Sequence, residues 1–156
     1  MLTIAPIFSY LRAFFVVALV VGITAACART PTAIGDATPG SQQEFLVSIG
    51  DRVFFETNSS VLTPEGEATL TEQAEWLLKY SRYTVTVEGH ADERGTREYN
   101  IALGARRAAA AVNFLLGYGI NPNRITSKSF GKERPVAICN DISCWSQNRR
   151  AVTVLN

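Results

Sequence analysis

The sequence predicts an α+β fold in which a mixed sheet is covered by two helices. Three observations carry that expectation. Short β-rich runs alternate with two long helical patterns in the order βαβα and then ββ, with a long connection between the last two strands. At 156 residues the chain has room for one core of about 100–130 residues and something short besides. At 47% hydrophobic the composition is ordinary for a globular fold, and part of that share sits in the first 26 residues.

The first strand is Arg52-Val53-Phe54-Phe55, bounded by Gly50-Asp51 and by the polar Asn58-Ser59-Ser60. A helix follows, with Thr63 as its cap, Pro64 at the first helical position, and Glu65 and Glu67 at the positive end of the dipole. Leu70, Ala74, Leu77 and Leu78 form its buried stripe, with Trp76 expected at the edge. Tyr83 to Glu88 alternates as a strand, and the charged loop from Gly89 to Thr96 comes next. The second helix is expected from about Glu98 to Leu116, with Ile101, Ala105, Ala108, Val112 and Leu115 on one face and Gly117, Gly119 and Pro122 ending it. Ile125 to Phe130 and Ala151 to Leu155 complete the strands.

Ahead of this domain, Arg12 is followed by an uncharged run from Ala13 to Ala26 that ends in Thr24-Ala25-Ala26-Cys27. It reads as a signal peptide over residues 1–26, too short in its apolar part to span a bilayer comfortably. An uncleaved membrane helix running from about Leu11 or earlier is the alternative, since residues 1–26 together are long enough to span. Residues 28–44 have the Thr, Pro, Gly, Ser, Gln and Ala composition of a flexible linker, so the folded domain is expected over residues 45–156. The 15 basic and 14 acidic side chains are spread along the chain with no basic stripe, which argues against nucleic acid as a partner.

At 100° per residue Arg107 falls about 120° from the centre of the apolar stripe, so it is expected to face away from the core. Its helix follows the Asp92 loop directly, and the two side chains can share a shallow pocket. A carboxylate accepts from an ammonium and a guanidinium holds a carboxylate bidentately, which together suit a free amino-acid centre. On spacing alone a second reading is equally open, in which Asp92 caps its turn and Arg107 makes a surface ion pair. Cys139 and Cys144 bracket four residues in the long connection, where an exported protein can form a disulfide; closing so short a loop contributes only about 2 kcal/mol. Their spacing matches no closed zinc set, and neither a metal nor another cofactor is expected.

Small residues directly before Cys27 resemble the lipobox of bacterial lipoproteins, although Thr24 stands where Leu is usual. That resemblance makes Cys27 the lipidation site. Ala28 rather than Asp follows it, which in Gram-negative lipoproteins favours sorting to the outer membrane, with the domain on the periplasmic face. The segment Val87-Glu88-Gly89-His90-Ala91-Asp92-Glu93-Arg94-Gly95-Thr96, followed by Tyr99-Asn100-Ile101-Ala102-Leu103-Gly104-Ala105-Arg106-Arg107-Ala108, resembles the signature of the OmpA C-terminal domain family, close to its Pal branch. Gly131-Lys132-Glu133-Arg134-Pro135 and Asn148-Arg149-Arg150-Ala151-Val152 extend the likeness, which runs from about Val53 to Leu155.

The resemblance implies non-covalent binding of peptidoglycan through the diaminopimelate of the stem peptide. Asp92 would take the ammonium and Arg107 the carboxylate, while Arg94, Thr96, Asn100 and Leu103 match neighbouring contact positions. Asn58 matches a contact position where many members have Asp. It also implies a tether between outer membrane and cell wall that serves envelope integrity and constriction at division, with TolB and other Tol-system proteins as partners. Two alternatives stay open: an envelope module whose main ligand is a protein, and a peptidoglycan hydrolase using His90, Asp92 and Glu93. The single histidine gives the hydrolase little to work with, and His90 is expected to hydrogen-bond the loop instead.

Overall fold

A computed structural model describes residues 37–156. The signal segment, Cys27 and residues 28–36 of the expected linker lie outside the described residues. Four strands form one sheet: β1 (Arg52–Phe54), β2 (Val85–His90), β3 (Ile125–Gly131) and β4 (Arg150–Leu155). Their order is β1-β4-β2-β3, with β1 and β2 antiparallel to β4 and β2 parallel to β3. The chain reaches β3 from β2 through a helix, as a parallel pair requires.

A short helix α1 (Gln42–Glu44) continues as a π-helical turn over Phe45–Ile49. Then come α2 (Pro64–Lys79), α3 (Arg97–Gly117) and α4 (Ile142–Asn148), with a 3-10 turn at Pro122–Arg124 before β3. Thr63 caps α2 by accepting from the Gly66 amide, and Thr96 caps α3 by accepting from the Tyr99 amide. The α+β architecture matches the sequence expectation, and the elements that went unforeseen are α1 and α4. Both are short: α4 follows Asp141, which caps it through the Ser143 amide, but seven residues give too little periodicity to register.

The core lies between the sheet and α2 and α3, built from Phe45, Val53, Leu70, Leu77, Val85, Val87, Ala111 and Leu115 among others. Three expectations about packing need correction. Trp76 is buried rather than at the edge, because Phe45 and Tyr83 pack on its ring and its indole N–H donates to Glu44 at 2.6 Å. Leu78 is 47% exposed, and Gln73 takes the interior place beside Leu70, Ala74 and Leu77 by bonding to the Gly50 carbonyl and the Thr153 hydroxyl. The buried face of α3 is Asn100, Leu103, Gly104, Arg107, Ala108, Ala111 and Leu115, while Ala105 is exposed.

Linker composition also hides an ordered stretch. Gly40 is buried, its amide donates to the Glu44 carboxylate, and its carbonyl accepts from Arg82 and from the Tyr83 hydroxyl. Polar side chains here serve as caps and as partners for α2, which composition alone does not distinguish from a solvated coil. No described helix is long and apolar enough to cross a membrane.

Candidate functional site

β2 runs to His90 and hands the chain to the Ala91–Thr96 loop, which ends in the cap of α3; this places Asp92 at the carboxyl end of a central strand. The loop is fastened from three sides. Asn100 donates to the Arg94 carbonyl at 2.8 Å, the Lys132 ammonium donates to the Glu93 and Gly95 carbonyls, and Gly95 takes a φ of 89° that a side chain would strain. Opposite it stands the turn after β1, where Asn58 has a φ of 56° and its side-chain oxygen accepts from the Tyr99 hydroxyl.

Between loop and turn lies a cleft of about 260 Å³, lined by Thr57, Asn58, Asp92, Arg94, Gly95, Tyr99, Asn100 and Leu103. Of the residues singled out from sequence, Asn58, Asp92, Arg94, Asn100 and Leu103 line it, and Thr96 stands next to Gly95 as the cap of α3. Tyr99 went unassigned, although its place on the same helical face as Leu103, four residues away, was a usable signal.

Arg107 is the main correction. It is buried at 0% exposure rather than facing away from the core, and it does not line the cleft. Its guanidinium donates to three backbone carbonyls: Ser59 at 2.9 Å, His90 at 2.8 Å and Glu56 at 3.2 Å. The helical-wheel argument fails because its apolar stripe is misplaced: Ala105 is exposed, Ile101 and Val112 are only half-buried, and the true buried face includes Asn100 and Arg107 itself. Five donors in a planar fork can be satisfied there by the carbonyls of a folded turn. Burial, reinforced by the charge of Arg149, pulls its pKa down to about 10, against the opposing pull of Asp92 and Tyr99. It therefore stays a cation at neutral pH, behind the cleft wall.

Asp92 is 7% exposed and held by Arg94, whose Nη2 donates at 2.7 Å and whose Nε and amide N each donate at 3.2 Å. Arg149 approaches the same carboxylate at 3.6 Å, and its Nη1 is buried without a hydrogen-bond partner among the described residues. Burial raises the Asp92 pKa, but the hydrogen bonds from Arg94 and the charges of both arginines outweigh it and leave the carboxyl below its usual range. Sequence reading noted Arg149 only as part of a motif.

His90 does not hydrogen-bond the loop through its ring, as was expected. The ring is buried and stacked on Phe130 at 5.6 Å, and its Nδ1 has no partner among the described residues. Burial, with the charges of Arg150 and Arg134, pushes its pKa down to about 4, which a Glu88 carboxylate 3.8 Å away does not offset. In an unfolded chain the value returns to the usual 6.5. Between those values the unfolded chain takes up a proton that the folded domain refuses. Stability should therefore fall by about 3 kcal/mol as pH drops from 6.5 to 4, then level off for this group. Asp92 adds a loss at lower pH, as its depressed pKa is passed. Urea midpoints at pH 7, 5 and 4 test this, with His90→Gln expected to flatten the slope; an unchanged slope in that variant would refute it.

Residues 54–149 match the family model described as the OmpA family, and the chain belongs to that family. It is similar to relatives named peptidoglycan-associated lipoprotein. It is 64% identical over 121 residues to the one from Rhizobium meliloti (strain 1021), covering 78% of this chain and 69% of that protein. With the one from Agrobacterium fabrum (strain C58 / ATCC 33970) it is 63% identical over 121 residues, 78% of this chain and 68% of the relative. Among solved structures, the peptidoglycan-associated lipoprotein from Burkholderia pseudomallei superposes with a TM-score of 0.66 at 37% identity, over 68% of this chain and 90% of that one.

Proposed function

We propose that this chain is an outer-membrane lipoprotein that grips peptidoglycan non-covalently and so tethers the outer membrane to the cell wall. Family membership, relatives whose name carries both properties, and the lipobox-like end at Cys27 support the reading. The single observation that carries the binding step is the Asp92–Arg94 ion pair on a small cleft, with a carboxylate side chain 10% exposed and a guanidinium side chain 41% exposed.

A zwitterionic amino-acid centre is the natural exchange partner for such a pair. Its ammonium takes over hydrogen bonds on Asp92, and its carboxylate accepts from the Arg94 fork that is thereby released. The diaminopimelate of the stem peptide presents such a centre. Arg107 adds positive potential from behind the wall, and it can meet the carboxylate directly where the turn at residues 56–59 yields a carbonyl bond to it. Asn58, Thr96 and Asn100 supply polar contacts and framework, and Leu103 gives the aliphatic chain an apolar surface.

No covalent step is needed for this grip, so the reading is of a binding protein and not of an enzyme. His90, the one candidate proton carrier of the hydrolase reading, is buried, neutral at physiological pH and absent from the cleft lining. The tether would be anchored by lipid at Cys27, with the domain on the periplasmic face. It would work with TolB and other Tol-system proteins, as the family resemblance implies.

The test is sedimentation of the full chain, purified in detergent, with sacculi, using soluble diaminopimelate-containing muropeptide as competitor. Asp92→Asn keeps the shape but removes the charge, and should weaken binding by about 2 kcal/mol, roughly thirtyfold. Competed binding by wild type that is lost in the variant supports the reading. Wild-type affinity in the variant would remove Asp92 from the site.

A further inference from the structure

Outside the cleft lining, α4 presents Trp145 to the loop that carries Asp92. The Arg94 guanidinium lies over the Trp145 ring at 4.1 Å, and the indole N–H donates to the Glu93 carboxylate. The helix that holds Trp145 is itself fixed at both ends. The Cys139–Cys144 disulfide ties its first turn to the preceding loop, with the two Cα atoms 5.6 Å apart. At its other end the Asn148 side chain accepts from the Val136 and Ala137 amides and donates to the Ala137 carbonyl.

We infer that Trp145 is a positioning residue of the cleft: its ring face holds Arg94 where the guanidinium can be passed from Asp92 to an incoming carboxylate. This rests on the assignment of the cleft to the stem peptide. The physical need is clear from the side chains involved. Arg94 is a long side chain, 41% exposed, and once a ligand ammonium displaces it from Asp92 nothing else within its own loop fixes its rotamer. A free arginine must be ordered again at each binding event, whereas one already stacked on an aromatic face is preorganised. The disulfide thereby gains a role that its small contribution to folding does not suggest, since it fixes the helix bearing the ring.

The experiment is calorimetry of the detergent-purified full chain with soluble diaminopimelate-containing muropeptide, alongside thermal melts of each variant. Trp145→Leu keeps apolar bulk and loses the ring face; it should bind about tenfold more weakly with little change in melting temperature. Trp145→Phe restores a ring face and should stay within about threefold of wild type. Arg94→Lys with Trp145→Leu should lose no more than the larger single loss, because both act through one contact. If Trp145→Leu binds like wild type while Asp92→Asn does not, the inference fails and the cleft assignment stands. Equal losses for Leu and Phe, or additive losses in the double variant, also overturn it. A wild-type chain that does not bind the muropeptide removes the cleft assignment, and the inference with it.

Discussion

Replacing Arg107 by alanine should lower the stability of the domain by about 3 kcal/mol and disorder one wall of the cleft at the same time. The guanidinium is the largest fully buried side chain in the domain, and it closes three carbonyls belonging to two separate segments, the turn at Glu56 and Ser59 and the end of β2 at His90. Its carbon also lies over the Phe55 ring at 5.3 Å. Alanine leaves the carbonyls without donors and opens a cavity beneath the turn, each a recognised source of large losses. Part of that loss is offset, because burying the cation was itself unfavourable, as its lowered pKa records. Arg107→Lys should be intermediate, since one ammonium cannot span three carbonyls that a planar fork reaches. Urea unfolding of the three proteins measures the order. An alanine variant as stable as wild type would show that the turn is held by other contacts, chiefly the reciprocal bonds between Phe55 and Arg149.

The burial of Arg107 marks the limit of what this sequence makes legible. The strands and the two long helices are legible because their patterns are long and their caps explicit: Thr63 and Pro64 announce α2, and Gly119 with Pro122 ends α3. The cleft lining is legible in part: Asp92 stands in the loop ahead of α3, and the family resemblance marks Arg94, Asn100 and Leu103 in that loop and helix. What is not legible is the direction of a charged side chain on a helix flank. Helical periodicity sorts residues by apolarity, yet Asn100 and Arg107 are interior residues, Asn100 held by the carbonyl of Arg94 in the preceding loop and Arg107 by carbonyls from elsewhere in the chain. Trp145 and Arg149 escape for the same reason. They reach the Asp92 loop from a segment more than 50 positions away, and no local pattern announces that meeting.

Gly89→Ala should be the most damaging single methyl group in the domain. A Cβ there would collide with the Gly104 carbonyl, and would also meet the Ala108 methyl at 3.1 Å; conversely, a Cβ on Gly104 would come within 2.8 Å of the Gly89 carbonyl oxygen. The two glycines let α3 lie directly on β2, backbone against backbone. Neither element has room to retreat, because β2 is hydrogen-bonded on both sides, to β4 and β3, and α3 is packed along its length over the sheet. A rigid backbone collision relaxes far less readily than a side-chain one, so the expected loss exceeds the usual overpacking cost and reaches about 3–5 kcal/mol. Gly117→Ala is the internal control. It lies at the end of the same helix with nothing within 4 Å of a Cβ, and should be neutral or stabilising by about 0.5–1 kcal/mol. Thermal melts of the three proteins give the comparison. The cleft makes the effect functional as well, since α3 brings Tyr99, Asn100 and Leu103 while β2 delivers Asp92. A helix pushed off the strand separates the two sides of the site, so a Gly89→Ala protein that still folds in the cold should sediment poorly with sacculi even though every residue lining the cleft is intact.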